Sequence, residues 1–358
     1  MSKNKSKQQK ILIVGSKGYI GSYLYKFLEE KKITVFGIDN LLYGKTWFDK
    51  NLQKNFLKID CRNLNESFIK KFDCVIFLAG LSNNPIDDIF PSRAYKIVED
   101  YTLKFAKLCK KYNVRFIFPS SCSVYGFGKK KFNEKSKLNP LSYYSKNKVA
   151  IEKKLIKLKN SQFNPIILRL ATVYGSSPSI RLDLVINMFA AMIINKNKIL
   201  LNSDGMAMRP HVNINFICEV IFYFILSKNF KTTIINVGNN SDNYKIIDVV
   251  KKFIKIKKKS SYAFLDNKNS VFSDSLINKR RDPRSYSVSF NKLKKYVKIK
   301  STNLSFKDNI KNLLFFMKKL KKKNCKFIQN INFYRLQKIK KNLDNLYCNK
   351  NLIVIRKN

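Results

Sequence analysis

The sequence predicts an α/β protein built on a doubly wound parallel sheet, with a smaller, mixed C-terminal lobe. Three observations predict it. Short apolar runs alternate with helical segments along the first half of the chain. The runs are apolar at nearly every position, which is typical of parallel strands buried on both faces. A glycine-rich segment directly follows the first run, where sheets of the Rossmann type bind a dinucleotide.

The individual elements follow from hydrophobic periodicity and from turn residues. In the first half of the chain, strands are predicted at 11–14, 33–39, 56–59, 74–78, 115–119 and 165–170. Helices are predicted between them at 19–31, 94–112 and 143–160. Farther along, we expect a helix beginning at Arg181, a short strand at 199–202, a buried helix at 216–226 and a buried strand at 233–237.

These elements divide the chain into four parts. Residues 1–10 form a basic tail, and residues 11–171 form the dinucleotide-binding domain. Residues 172–320 are predicted to form most of the smaller lobe, although the strand at 233–237 should rejoin the first sheet. Residues 321–358 are a Lys/Asn-rich C-terminal extension.

The charge of the chain is strongly positive, since 72 Lys and Arg residues stand against 23 Asp and Glu, for a net charge of +49. Such a charge is typical of proteins that bind nucleic acid or anionic membranes. Here the lysines are spread along the whole chain, and Asn, Ile, Phe and Tyr are abundant too, which indicates a biased composition. No nucleic-acid partner is therefore expected, although the positive field would attract an anionic nucleotide.

Cysteine and histidine usage argues against a metal site. The seven cysteines show no C-x-x-C spacing and the chain has one histidine, His211, so no familiar zinc set can be assembled. This pattern is typical of a reduced, cytoplasmic protein. The N-terminal tail lacks an apolar signal core, and the apolar segment 216–226 is too short to span a membrane.

The glycine-rich segment has the spacing G-x-x-G-x-x-G, with glycines at 15, 18 and 21. Gly15 allows a sharp turn, Gly18 lets backbone N–H groups approach a pyrophosphate, and Gly21 lets the following helix lie close to the strand. No Lys-Ser/Thr pair follows, so this is not a P-loop. Asp39, which ends the second predicted strand, suits the ribose hydroxyls and would repel a 2′-phosphate, which favours NAD over NADP.

Tyr144 and Lys148 lie four residues apart on a predicted helix and so share one face. The same spacing occurs elsewhere in this Tyr- and Lys-rich chain, but this copy follows a plausible helix start, Pro140-x-Ser142, and lies 23 residues after Ser121, at the carboxyl end of a predicted parallel strand. Ligands of α/β proteins bind at that edge of the sheet.

In these motifs the chain resembles an extended short-chain dehydrogenase/reductase of the NAD-dependent epimerase/dehydratase family, which acts on nucleotide-sugars. The matching segments occur in order over roughly residues 11–315. They are the glycine loop, Asp39, Asp60, 120–126, 140–148 with Glu152, 168–175, 204–205 with Arg209, 236–238 and 281–286.

The resemblance implies a role for each matching residue. Tyr144 would be the acid/base, Lys148 would hold the nicotinamide ribose, and Ser121 would polarise the reacting hydroxyl. A phenol has a pKa near 10, so a neighbouring ammonium and the positive nicotinamide ring are expected to favour the phenolate. The residues implied to bind NAD are Gly15, Gly18, Tyr19, Ile20, Gly21, Asp39, Asn40, Asp60, Cys61, Leu78, Ala79, Gly80, Tyr144 and Lys148.

The resemblance also implies how a nucleotide-sugar is held. Arg209 would grip the diphosphate, Arg281 and Asp282 would form a second clamp, and Arg181 is a further candidate for the same anion. Residues expected near the sugar are Ser121, Cys122, Ser123 and Thr172. Cys122 is either a proton donor there or, as we favour, a small packing residue. Thr172, Phe216 and Val98 depart from the residues usual in the family.

The reaction type depends on the turn after the fifth strand. Relatives that dehydrate the sugar carry an acidic pair where this chain has Cys122 and Ser123, so a 4-epimerase or a keto-sugar reductase is favoured. Asp39 disfavours NADPH, the usual reductant, and therefore favours the epimerase. A non-catalytic, basic nucleic-acid-binding module is the alternative of another class. The resemblance further implies a homodimer through the helices near 95–112 and 143–160.

Overall fold

A computed structural model describes residues 9–43, 54–81, 92–227, 233–264, 284–297 and 304–323. Arg281 and Asp282 lie outside the described residues, as do most of the basic tail and most of the C-terminal extension.

Seven strands of the described chain form one parallel sheet, which confirms the predicted fold class. Their spatial order is β11-β7-β5-β4-β1-β2-β3. The strands are β1 (Lys10–Val14), β2 (Thr34–Asp39), β3 (Phe56–Lys58), β4 (Cys74–Phe77), β5 (Arg115–Ser121), β7 (Ile166–Leu170) and β11 (Ile234–Val237). Each lies within about a residue of an expected strand at both ends, apart from β5, which continues two residues farther to Ser121.

Helices cover both faces of this sheet. Those packed against it are α1 (Tyr19–Glu30), α3 (Ser92–Lys111), α4 (Tyr143–Leu158) and α6 (Ile214–Leu226), and a short helix α2 (Glu66–Ile69) follows β3. Alternate residues of β1 enter different cores: Ile11 and Ile13 pack with α1 and α6, whereas Leu12 and Val14 pack with α3 and α4. Burial on both faces explains why the strands are apolar at nearly every position.

The remaining elements form smaller sheets and a third apolar cluster. The strands are β6 (Lys131–Phe132), β8 (Thr172–Tyr174), β9 (Lys198–Leu201), β10 (Met208–Asn213), β12 (Asn243–Lys245), β13 (Ser261–Phe264) and β14 (Ser287–Val288). The helices are α5 (Val185–Lys196), α7 (Ile246–Ile256), α8 (Asn291–Tyr296) and α9 (Phe306–Lys323). The sheet β12-β10-β8 is mixed, because β10 pairs antiparallel with β12 and parallel with β8.

The helix that was expected to begin at Arg181 begins four residues later, at Val185. Arg181 and Asp183 form a bidentate ion pair, with Nε and Nη2 at 3.1 and 2.5 Å from the two carboxylate oxygens. Residues two apart point to different sides of a helix, so this pair requires a non-helical backbone. Within the ranges given above, no helix is long and apolar enough to cross a membrane.

Candidate active site

In the glycine-rich turn between β1 and α1, backbone atoms lie too close together for a side chain at Gly15. Gly15 has φ +87°, and its N–H donates to the carbonyl of Ile38 at 2.8 Å. A Cβ at Gly15 would lie 2.7 Å from the nitrogen of Ala79. Gly18 directly precedes α1, and no side chain caps the helix, so the first N–H groups of α1 have no side-chain acceptor at the turn. A turn of bare backbone at a helix N-terminus fits a pyrophosphate.

Asp39 ends β2 beside this turn. One of its carboxylate oxygens accepts the N–H of Lys17 at 2.9 Å, and the other accepts the N–H of Leu41 at 2.7 Å. Burial raises the pKa of Asp39 above its usual value, and the two backbone hydrogen bonds oppose the rise. Each oxygen keeps a free lone pair, so the carboxylate is fixed in place and can still accept ribose hydroxyls.

Asp60 is held by its neighbours in a similar way. Arg62 donates to both of its oxygens at 2.9 Å, and the amide of Asn40 donates to one at 3.1 Å. Burial alone would raise the pKa of Asp60, but Arg62 and Asn40 hold it below its usual value. The other residues expected around the cofactor are Cys61, at the start of a 3₁₀ turn, and half-buried Leu78, Ala79 and Gly80, which follow β4 at the same edge of the sheet.

Replacing Asp39 by asparagine is expected to lower the preference for NAD over NADP by at least about tenfold. The amide removes the charge that repels a 2′-phosphate and accepts ribose hydroxyls less well. Dissociation constants for both nucleotides, measured by calorimetry, give the ratio. Asp73→Asn, at the opposite end of the sheet, is the matched control. An unchanged ratio in Asp39→Asn would contradict the assignment.

Ser121 and Tyr144 meet at the carboxyl edge of the sheet. Ser121 ends β5, and its Oγ accepts hydrogen bonds from the N–H and the hydroxyl of Ser123 at 3.1 and 2.9 Å. The hydroxyl of Ser121 also lowers the pKa of the Tyr144 phenol, so the two side chains are neighbours. Because Ser121 already accepts two hydrogen bonds, its own proton can be donated toward the phenol oxygen.

Lys148 lies one turn farther along α4, a helix that begins with a capping box between Ser142 and Ser145. Its Nζ donates to the carbonyl of Pro119 at 2.9 Å and lies 4.4 Å from the centre of the Phe118 ring. It lies 5.7 Å from the centre of the Tyr144 ring. Burial lowers the pKa of Lys148 to about 8, against an opposing effect of Glu152. The fold thus brings Ser121, Tyr144 and Lys148 together.

Arg181 is a second cation that acts on Tyr144, besides the ammonium of Lys148 that was predicted to favour its phenolate. Burial raises the pKa of Tyr144 above its usual value, and the groups that oppose the rise are Arg181 and the hydroxyl of Ser121. Arg181 is therefore a cation beside the phenol, held by Asp183 and, through its backbone carbonyl, by Asn187 at 2.9 Å. The protein's own groups leave the phenol protonated near neutral pH.

Of the residues expected around the sugar, three are half-buried and one lies in the core. Cys122 is completely buried, and its Sγ contacts the carbonyl of Arg169 at 3.2 Å. Burial raises the pKa of its thiol. Ser123 and Thr172 are half-buried, the first beside Ser121 and the second paired in register with His211. Only Ser121, Ser123 and Thr172 of this set are partly exposed.

Two arginines, Arg209 and Arg284, lie near the buried phenol of Tyr286. Arg209, on β10, lies 5.3 Å from the centre of the Tyr286 ring and donates to the carbonyl of Met208 at 3.0 Å. Burial raises the pKa of Tyr286, and Arg209 and Arg284 oppose the rise. Arg284 was not singled out from the sequence, although it lies in the same motif, 281–286, as Arg281 and Asp282.

The sequence analysis did not predict the buried ion pair that lies next to the site. Arg169, on β7, pairs with Glu152, on α4, directly behind the site. The signal was present, because a charged residue in a central, otherwise apolar strand requires a buried partner.

The fold and this edge of the sheet define a class, the dinucleotide-binding α/β proteins. The chain belongs to the NAD dependent epimerase/dehydratase family, whose model matches residues 11–238. It is therefore an enzyme of this family, and NAD is its cofactor.

Two curated relatives are similar at the sequence level. The chain is 31% identical over 278 residues to a dTDP-D-glucose 4,6-dehydratase of Dictyostelium discoideum, a match covering 69% of this chain and 62% of the relative. It is 31% identical over 227 residues to an uncharacterized UDP-glucose epimerase, YtcB, of Bacillus subtilis, covering 58% of this chain and 69% of the relative. The chain thus spans less than two thirds of the Dictyostelium relative.

Solved structures share the fold. UDP-N-acetylglucosamine 4-epimerase from Methanobrevibacter ruminantium superposes with a TM-score of 0.75 at 22% identity, covering 88% of this chain and 99% of the other.

Proposed function

We propose that the protein is an NAD-dependent nucleotide-sugar epimerase that acts at C4 of the sugar. In this proposal residues 11–171 hold the cofactor and residues 172–320 mostly cover the nucleotide-sugar. The observation that carries the choice of reaction is the turn after β5. Cys122 is buried in the core and Ser123 hydrogen-bonds to Ser121, so neither supplies the acid that eliminates water in the dehydratases of the family.

NAD, when bound, supplies the chemistry of accepting a hydride from C4 and returning it to the opposite face. Tyr144 takes the proton of the C4 hydroxyl, and Ser121 donates a hydrogen bond to that oxygen as it becomes a carbonyl. Lys148 lies where it can hold a ribose hydroxyl of the cofactor. Since burial leaves the phenol of Tyr144 protonated, the positive nicotinamide adds the charge that favours the phenolate, together with Arg181.

The arginines near Tyr286 are suited to bind the anionic diphosphate of a nucleotide-sugar. Arg209 and Arg284 lie near the buried phenol of Tyr286, and guanidinium groups suit a diphosphate. In this proposal Arg209 grips the diphosphate and Arg284 assists it. Arg281 and Asp282 remain a second clamp expected from the sequence.

A panel of UDP-, dTDP-, GDP- and CDP-sugars offered to the purified protein tests the function. We expect one of them to be converted to its C4 epimer without added cofactor and without net NADH formation, because NAD is regenerated in each turnover. Stoichiometric consumption of NAD(P)H with a 4-keto sugar would instead identify a keto-sugar reductase, the second candidate, and elimination of water would identify a dehydratase.

We also propose a homodimer through the outward faces of α3 and α4, which pack side by side on one face of the sheet. Ile156 is 43% exposed there, among lysines that include Lys107 and Lys157. A two-fold interface places the same surface on both copies, so these lysines would face one another. The dimer is therefore expected to strengthen as salt rises, which light scattering at several ionic strengths measures.

A further inference from the structure

A buried carboxylate, Glu152, lies behind the candidate site between two cations. Arg169 donates to it from Nη2 at 2.7 Å and from Nε at 3.1 Å, and the side chains are 3% and 2% exposed. The hydroxyl of Ser120 donates to the same carboxylate. Arg169 also donates to the hydroxyl of Tyr125 at 3.0 Å. A buried charge pair is stable only when its polar atoms are hydrogen-bonded. Here Ser120 and Tyr125 provide hydrogen bonds in addition to the ion pair itself.

The other cation is Lys148, which precedes Glu152 by one helical turn on the same face of α4. The two side chains reach neighbouring positions of β5. Lys148 binds the carbonyl of Pro119, and Glu152 binds the hydroxyl of Ser120. Ser120 pairs in register with Arg169 across the sheet, so the three charges lie in the order ammonium, carboxylate, guanidinium.

The charge of Lys148 depends on this arrangement. Burial lowers the pKa of Lys148 to about 8, and the group that opposes the fall is Glu152. Tyr144, on its own helix, is a further titratable group beside it in the described residues, and Arg169, on β7, is the cation that binds the far partner, Glu152. The residues that Lys148 touches on β5, Phe118 and Pro119, are neutral.

We propose that Glu152 is a positioning residue for the active site: its buried carboxylate, fixed by Arg169, keeps the amine of Lys148 charged and anchored against β5. The proposal rests on the proposed role of Lys148 at the cofactor. Without the carboxylate, nothing would oppose the burial that lowers the pKa of Lys148, the charge of Arg169 would be uncompensated, and the lysine is the one of the two cations that can release its proton.

Labelling of Lys148 with acetic anhydride over a series of pH values tests this, because only the neutral amine reacts. Peptide mass spectrometry gives the midpoint at Lys148 in the full-length protein as purified. In Glu152→Gln the midpoint is expected to fall by about one pH unit or more. In Arg169→Gln it is expected to rise, because the competing cation is gone and the carboxylate remains. Glu152→Asp, which keeps the charge, should restore a midpoint near that of the unaltered protein.

A purely structural role for the ion pair predicts something different, since losing either partner would disturb the same packing. A midpoint unchanged in Glu152→Gln, or one that falls in both charge variants, would overturn the proposal. Should Glu152→Gln fail to fold, Arg169→Gln decides alone, and an unchanged or lower midpoint there contradicts it. Tyr125→Phe removes a hydrogen bond of the network without changing its charge and serves as the control.

Labelling requires no turnover, so it is independent of the proposed reaction. A shifted midpoint in a protein that converts none of the sugars would leave the role of Glu152 standing and refute the epimerase. An unshifted midpoint in an active epimerase would refute the role of Glu152 and leave the proposed reaction standing.

Discussion

Tyr144→Phe is expected to lower kcat for sugar interconversion by about 10³-fold, within the range that a general base contributes. The phenyl ring keeps its place on α4, but the oxygen that accepts the hydrogen bond of Ser121 and the proton of the sugar is lost. Because the change removes no charge from the folded protein at neutral pH, the fold and the bound NAD should be retained.

Initial rates for the substrate found in the panel measure the effect, and NAD released on denaturation measures cofactor retention. Tyr143→Phe is a matched control, since Tyr143 is the preceding residue, is 45% exposed and lies under the ammonium of Lys146 rather than in the site. A Tyr144→Phe enzyme with a near-normal kcat would show that another group is the base.

Gly21→Ala is expected to weaken NAD binding by about 100-fold. A Cβ at Gly21 would lie 2.2 Å from the carbonyl oxygen of Gly15 and 2.9 Å from the Cα of Ser16. Both are backbone atoms of the turn, so α1 and the turn must separate. Overpacking of this kind costs about 1–3 kcal/mol, and the upper end corresponds to about 100-fold in affinity when the displaced backbone is the binding site.

Calorimetric titration with NAD and thermal unfolding measure this effect together. Lys26→Ala, at an exposed position of the same helix, is the control for changes in helix propensity. Equal NAD affinity in Gly21→Ala and the unaltered protein would show that the cofactor does not use the turn.

The sheet could be predicted from the sequence because its strands are buried on both faces and so are apolar at most positions. That pattern located β1, β4, β7 and even β11, which follows the lobe in sequence and still pairs with β7. It could not locate short strands such as β6 and β14, two residues long, whose pairing is set by tertiary contacts rather than by periodicity.

The candidate site also has features that the sequence predicts and features that it does not. Residues whose roles depend on a local motif, such as Ser121, Tyr144 and Lys148, could be proposed from the sequence. The charge of Arg181 beside Tyr144 could not, because residues 144 and 181 come together only through folding. The sequence predicts Lys148 as a cation near Tyr144, but it does not show that the guanidinium of Arg181 also acts on the phenol.

The place of β11 in the sheet has a consequence for synthesis on the ribosome. Chains emerge from the N-terminus, so β7 is complete while β11 and the lobe between them are still unmade. Until residues 234–237 appear, β7, which is apolar except for Arg169, is an open edge, the kind of surface that pairs with other chains. The nascent protein is therefore most prone to aggregate during translation of the lobe, before its own last strand covers that edge.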